Sequence, residues 1–211
     1  MSESLKNIKG TQDILSKDNN IWQYIETYIH KFLNKYGFLQ IRTPLFENTN
    51  LFSRSIGLQT DIVSKEMYSW TDQGGNNLTL KPEVTASVVR AYIQHNLGKK
   101  NPINKLYYID TLFRRERPQK GRYRQFNQFG VEAIGSEHPE QDAEIIALAY
   151  NFYKSLNIKN LTLKINSIGS RKVKNKYKKV LKKYLTPYKN KLSALSKKRL
   201  ETNTLIPRVP L

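Results

Sequence analysis

Between Phe113 and Phe126 the chain concentrates its reactive side chains: Arg114, Arg115, Arg117, Lys120, Arg122 and Arg124 surround a single carboxylate, Glu116. Guanidinium groups make bidentate contacts to phosphate. Phe126 offers a flat face on which a purine can stack. Just beyond it, Gln128 and Glu132 add an amide and a carboxylate, a pair able to hold an ammonium or an imidazole N–H. Gly130 between them would leave room for a ligand to approach the backbone. The set suits a nucleotide lying beside a small zwitterion. Charge alone would favour an exposed basic hairpin tip; the ordered Phe-Arg-x-Glu and the spaced Phe, Gln and Glu argue against it.

Two long strands must carry these groups. Leu106 to Phe113 and Arg124 to Ile134 read as strands flanking the arginine-rich loop, and alternation sorts their faces. Tyr107, Ile109, Thr111 and Phe113 point one way, leaving Arg114 on the other. Asn127, Phe129, Val131 and Ala133 oppose Phe126, Gln128, Gly130 and Glu132. If the strands pair as a hairpin, one face presents Arg114, Phe126, Gln128 and Glu132 together.

The remaining elements follow from periodicity and turn chemistry. Residues 1–17 read as an extended arm with a turn at Lys9 to Asp13. Ile21, Ile25, Tyr28, Ile29, Phe32, Leu33 and Tyr36 recur at helical spacing, with Asp18 as N-cap and Gly37 as terminator. Phe38 to Thr43 reads as a strand stopped by Pro44. Met67 to Trp70 and Leu78 to Lys81 form a hairpin across a Gly/Asn turn. Pro82 opens a helix with Glu83 in its first turn. Pro139 to Leu156 is helical, Leu161 to Ile165 a short strand, and Lys172 to Glu201 helical with a break at Pro187. The order argues an α+β fold around an antiparallel sheet rather than a doubly wound parallel one. There is no Gly-rich phosphate loop of Walker or Rossmann spacing.

Composition narrows the function classes. The 211 residues contain no cysteine, which excludes disulfides, thiolate metal sites and thiol catalysis. His30, His95 and His138 are too scattered for a metal cluster. With no signal-like or membrane-length apolar run, the expectation is a cytoplasmic protein without membrane contact. Thirty-six Lys and Arg against seventeen Asp and Glu leave a net charge of +19, most of it beyond residue 150. That surplus suits a polyanionic partner or a solvated lysine-rich helix face.

Phe113-Arg114-Arg115-Glu116 followed by Arg124-Gln125-Phe126 resembles motif 2 of the class II aminoacyl-tRNA synthetases. The full run from Arg114 to Phe126 resembles the histidyl-tRNA synthetase family in particular. Lys9 to Asp13 resembles that family's opening motif, and Ile41 to Pro44 after the first helix resembles motif 1. Leu78 to Thr85 resembles the segment that receives the amino acid, and Asn166 to Gly169 also fits. The resemblance runs from about residue 7 to about residue 205. It implies the class II catalytic fold, a homodimer joined through residues 18–44, and histidine–tRNA ligase activity using ATP with Mg2+, L-histidine and tRNA(His).

By the same resemblance, Arg114 would hold the ATP α-phosphate as the catalytic residue, and Glu116 and Arg122 would engage the nucleotide with Phe126 under adenine. Glu83, Thr85 and Gln128 would hold the histidine ammonium, and Glu132 would read the imidazole. Arg117, Gln119 and Arg124 would face the tRNA acceptor end. Domain limits follow: residues 1–169 as part of the catalytic core, 170–205 as a lysine-rich helical segment opening the family's insertion, and 206–211 as a tail unlike the family.

The chain departs from the family in two respects. Lys81 stands where an arginine is usual. Motif 3, a second histidine-specific motif and an anticodon-binding domain are absent from these 211 residues, so they are expected to be nearly inactive alone. Two other functions are compatible: the catalytically silent regulatory subunit of ATP phosphoribosyltransferase, and an inactive remnant that still folds.

Overall fold

A computed structural model describes residues 5–56, 66–167 and 169–202. Ile168 and the closing residues 206–211 fall outside the described residues. The chain divides into two units, Met1–Leu161 and Thr162–Leu211.

In the first unit, α1 (Ser16–Lys35) leads to β1 (Leu39–Gln40), β2 (Phe46–Asn48) and α2 (Thr49–Ile56). β3 (Tyr68–Thr71) and β4 (Asn77–Leu80) follow as the expected hairpin, then α3 (Thr85–Gln94) and the short α4 (Leu97–Lys100). β5 (Asn104–Phe113), β6 (Gln125–Ile134) and α5 (Pro139–Ser155) complete it. The α+β class stands, but the strands form two three-stranded sheets, β1-β5-β6 and β2-β4-β3. Pro82, with no N–H to extend a ladder, stands two residues past the end of β4. One pairing is parallel: Leu39 lies opposite Leu106 and Gln40 opposite Tyr107.

β5 and β6 pair antiparallel through ten positions, from Asn104 opposite Ile134 to Phe113 opposite Gln125. Their apolar face carries Tyr107, Ile109, Phe129 and Val131 against α1 and α5, in a core with Ile29, Leu33, Phe38, Leu148 and Phe152. Complete burial of side chains such as Leu33 and Phe38 contributes about 1.5–3 kcal/mol each. Aromatic edges lock the layers: Phe152 sits 4.6 Å from Phe129 and 5.3 Å from Phe32, centroid to centroid. The opposite face is partly covered by α3, where Val84 and Val88 pack on Leu106, Tyr108 and Leu112.

Three local expectations need correction. α1 starts at Ser16 with Leu15 at the N-cap position, so Asp18 lies inside the first turn rather than capping it. Its charge still faces the positive end of the helix dipole. The strand expected over 38–43 shortens to Leu39–Gln40, although the Ile41 N–H still donates to the Tyr107 carbonyl at 2.8 Å. Pro82 and Glu83 precede α3 instead of opening it. Phe113 N–H bonds the Lys81 carbonyl (3.1 Å) and Arg114 Nε the Pro82 carbonyl (2.8 Å), holding this segment across the end of β5. Glu83 then caps α3, its Oε1 accepting from the Ala86 N–H at 2.9 Å.

In the second unit, α6 (Arg171–Leu185) is capped by Ser170, whose hydroxyl accepts from Val173 N–H at 3.4 Å. A 3₁₀ segment at Thr186–Lys191 contains Pro187 and leads to α7 (Ala194–Thr202). Leu185, Leu192 and Leu200 form its core. The strand expected over Leu161 to Ile165 does not form; Leu163 and Ile165 are exposed and pair with no described strand.

Candidate active site

Arg114 leaves the end of β5 on the side of the sheet shared by Leu112 and Phe126, as alternation requires. Its Nε donates to the Pro82 carbonyl, and its guanidinium lies over the Phe126 ring at 5.2 Å from the centroid. The two remaining guanidinium nitrogens suit an anion. Arg114 and Phe126 line a cleft of about 540 Å³ with Glu116 and Arg122. All four residues expected at a nucleotide therefore share one wall. Arg122 Nη1 donates to Glu116 at 3.3 Å, an exposed guanidinium on a half-buried carboxylate.

The loop between the strands is held at its base by the N-terminal arm. The Gly10 carbonyl accepts from the N–H groups of Arg124 (2.7 Å) and Gln125 (3.3 Å). Gly10 sits at φ +92, and a Cβ there would lie 2.8 Å from Arg124 Cγ. Both the backbone conformation and the space require glycine. The arm and α1 also bring Gln12 and Trp22 to the cleft. Neither was among the expected site residues: Gln12 lies in the Lys9 to Asp13 motif but was given no role there, and nothing in the spacing of a helix's outer face points Trp22 to a distant loop. Arg117 and Gln119 are exposed on the loop, whereas Arg124 turns inward, its Nε bonding the Glu116 carbonyl at 3.4 Å.

A second cluster lies farther along the same sheet face. Thr85, at the start of α3, donates to Glu132 Oε1 at 2.6 Å. Gln128 Nε2 donates to the Tyr108 hydroxyl at 3.4 Å. Burial raises the Glu132 carboxyl above the usual carboxylate range; the Thr85 hydrogen bond opposes this and the charge of Glu83 adds to it. The Tyr108 hydroxyl is also raised, by burial first and then by the charge of Glu132, with the Gln128 hydrogen bond pulling down and Glu83 pushing up. Glu83, Thr85, Gln128 and Glu132 thus converge from two separated stretches of chain. With two carboxylates, a hydroxyl and an amide, the cluster favours a cation with several N–H donors.

The space expected over Gly130 is not open to a ligand. A Cβ there would lie 2.3 Å from the Tyr108 hydroxyl oxygen and 2.5 Å from its Cζ, so the tyrosine ring fills the gap. Sequence reasoning missed Tyr108. The available signal was alternation, which puts Tyr108 on the face opposite Tyr107 and directly across from Gly130.

Lys81 pairs near these clusters, its partner Asp110 lying opposite Gln128 in the ladder. It is fully buried, paired with Asp110 of β5, and donates to the Thr43 carbonyl (3.2 Å) and hydroxyl (3.3 Å). Among the described residues no three His, Cys, Asp or Glu side chains converge as a metal site. No described helix is long and apolar enough to cross a membrane.

Comparison with known proteins bears on this arrangement. A family model described as histidyl-tRNA synthetase matches residues 10–183. The histidine–tRNA ligase of Staphylococcus epidermidis is 49% identical over 202 residues, 95% of this chain and 48% of that protein. The crystal structure of apo histidyl-tRNA synthetase from Staphylococcus aureus superimposes with a TM-score of 0.77 at 40% identity, over 98% of this chain and 49% of that one. An ATP phosphoribosyltransferase regulatory subunit/histidyl-tRNA synthetase from Bacillus halodurans aligns at TM-score 0.68 and 23% identity, covering 95% of this chain and 55% of that one, a likeness of fold alone. The chain spans about half the length of the curated relatives it matches.

Proposed function

The chain belongs to the histidyl-tRNA synthetase family, and from that membership we propose that it carries the amino-acid and nucleotide sites of a class II histidine–tRNA ligase. The carrying observation is the convergence of Glu83, Thr85, Gln128 and Glu132 beside a cleft lined by Arg114, Glu116, Arg122 and Phe126. L-Histidine would place its ammonium among Glu83, Thr85 and Gln128 and its imidazole N–H on Glu132. Two carboxylates held close together gain from a cation between them, which favours the zwitterion over a neutral amine.

In the first step the histidine carboxylate oxygen attacks the ATP α-phosphorus, the bond to the β-phosphate bridge breaks, and pyrophosphate leaves. Arg114 would bind the α-phosphate and take up the charge that develops there, with Phe126 stacking on adenine once the guanidinium shifts from its face. Glu116 and Arg122 would hold the nucleotide. Catalysis is then orientation and charge stabilisation without a protein nucleophile. Mg2+ would arrive with ATP, and Glu116 is the one carboxylate lining the cleft among the described residues. In the second step a hydroxyl of the terminal adenosine of tRNA(His) displaces AMP from the acyl carbon. Arg117 and Gln119, exposed on the loop, would meet the acceptor end, with Arg124 acting from the loop's base.

The working protein would be a cytoplasmic homodimer joined through α1 and β1. β1 is an edge strand, and Leu39, Ile21 and Tyr24 are exposed there. The regulatory-subunit alternative has a fold-level likeness behind it, whereas ligase relatives share about half of their aligned residues with this chain.

Binding is the test suited to a chain of half the relatives' length. Titration of the 211-residue chain, followed by amide NMR, should show saturable binding of L-histidine that Glu132→Ala abolishes and MgATP binding that it leaves intact. An unaltered chain that takes up no histidine at millimolar concentration overturns the reading.

A further inference from the structure

We propose that Tyr108 is a positioning residue of the amino-acid pocket: its ring replaces the side chain that Gly130 lacks, and its hydroxyl orients the Gln128 amide toward the ligand. This role presupposes that the pocket takes histidine. Tyr108 is 4% exposed, so neither its ring nor its hydroxyl serves the protein surface. The ring lies directly over Gly130, its partner across the β5–β6 ladder, at a distance no side chain at 130 would permit.

The hydroxyl accepts from Gln128 Nε2 at 3.4 Å. An amide has one donating and one accepting end. With the NH₂ engaged by the tyrosine, the carbonyl oxygen is the end left for a ligand. Thr85 is set in the same sense: its proton goes to Glu132 at 2.6 Å, and its oxygen, which also meets the Tyr108 hydroxyl, keeps one further lone pair as an acceptor. Glu83 and Glu132 are acceptors when ionised. Tyr108 therefore completes a pocket whose ligand-facing groups all accept hydrogen bonds, which is the complement of an ammonium with three donors. Without the hydroxyl the Gln128 amide can rotate and present NH₂ to the cation.

The test uses the 211-residue chain titrated with L-histidine, imidazolepropionate (histidine without its ammonium) and MgATP. Tyr108→Phe keeps the ring over Gly130 and removes only the hydroxyl. It should weaken L-histidine about tenfold, the scale of one hydrogen bond to a charged group. It should leave imidazolepropionate and MgATP unchanged. In a Gln128→Ala background the same substitution should have little further effect, because the amide it orients is gone. Histidine bound equally by Tyr108→Phe and the unaltered chain overturns the role. So does a loss shared by all three ligands, or one that persists undiminished without Gln128, since either marks a structural defect. If the unaltered chain binds no histidine, the pocket reading itself falls and the role of Tyr108 with it.

Discussion

Glu132 illustrates how a single side chain can be held where its charge works against the fold. Its carboxyl is raised because burial and the neighbouring Glu83 disfavour the charge, and the Thr85 hydrogen bond only partly compensates. A native pKa above the unfolded one means the folded chain binds more protons in that window, so this contribution to stability falls as pH rises through the folded pKa. Glu132→Gln keeps an oxygen for Thr85 and removes the charge. Its melting temperature should exceed that of the unaltered chain at pH 8, and the difference should shrink toward pH 4.5. A constant difference across that range in a thermal melt series would contradict the assignment. Arg114 is the opposite case, a residue whose removal the fold tolerates. Its side chain gives one hydrogen bond to the Pro82 carbonyl and otherwise lies over the Phe126 ring along a cleft. Arg114→Ala should leave the circular dichroism spectrum unchanged yet weaken MgATP about tenfold or more by calorimetry, since charge-assisted bonds are worth about 1.5–3 kcal/mol.

Among the elements, the join at Lys81 carries several of them at once. Its ammonium ties the end of β4 to Asp110 of β5 and to Thr43, just after β1, with no exposure to solvent. Lys81→Met leaves the Asp110 carboxylate buried and unpaired, a change that costs about 3–5 kcal/mol. Urea unfolding should show it as a large drop in midpoint, while Lys81→Arg, which keeps the charge, should lose less. Much of this architecture was legible in the residues. The long strands β5 and β6 alternate cleanly over ten positions, so the shared face of Arg114, Phe126, Gln128 and Glu132 followed directly. Glu83 and Thr85 could be brought to that face only through the family resemblance, because spacing within one segment says nothing of where a distant helix docks. The parallel β1 pairing was illegible because two residues are too few to alternate. Gly130 was misread for a related reason: a glycine in a strand signals a close approach, but only the cross-strand register identifies Tyr108 as what approaches.

At the scale of the whole chain, the charge is carried unevenly and α6 bears the burden. Arg171, Lys172, Lys174, Lys176, Lys178, Lys179, Lys182 and Lys183 share one helix whose own sequence holds no acidic residue, although Glu201 lies near enough to Lys182 to feel its charge. Pairs such as Lys174 with Lys178 and Lys178 with Lys182 lie one turn apart, where like charges each cost about 0.2–0.5 kcal/mol. The first of these cations also face the unfavourable end of the helix dipole. Salt should relieve both effects, because at about 1 M the screening length falls to about 3 Å. Ellipticity at 222 nm should become more negative between low and high sodium chloride at constant pH, and a flat response would show that packing of Leu185, Leu192 and Leu200 already fixes the helix.

The fit of the Tyr108 ring over Gly130 bears on how such a chain can change over generations. Position 130 cannot gain even a methyl group until the ring at 108 has moved or shrunk, and a smaller residue at 108 leaves a void until 130 grows to fill it. Neither single step is neutral, so the two positions are epistatic and can drift only as a pair. Because the hydroxyl at 108 also accepts from Gln128, a lineage that exchanged the pair would have to find that amide a new partner in the same move. A packing detail on one rung of the ladder thereby becomes a constraint on which sequences are reachable from this one.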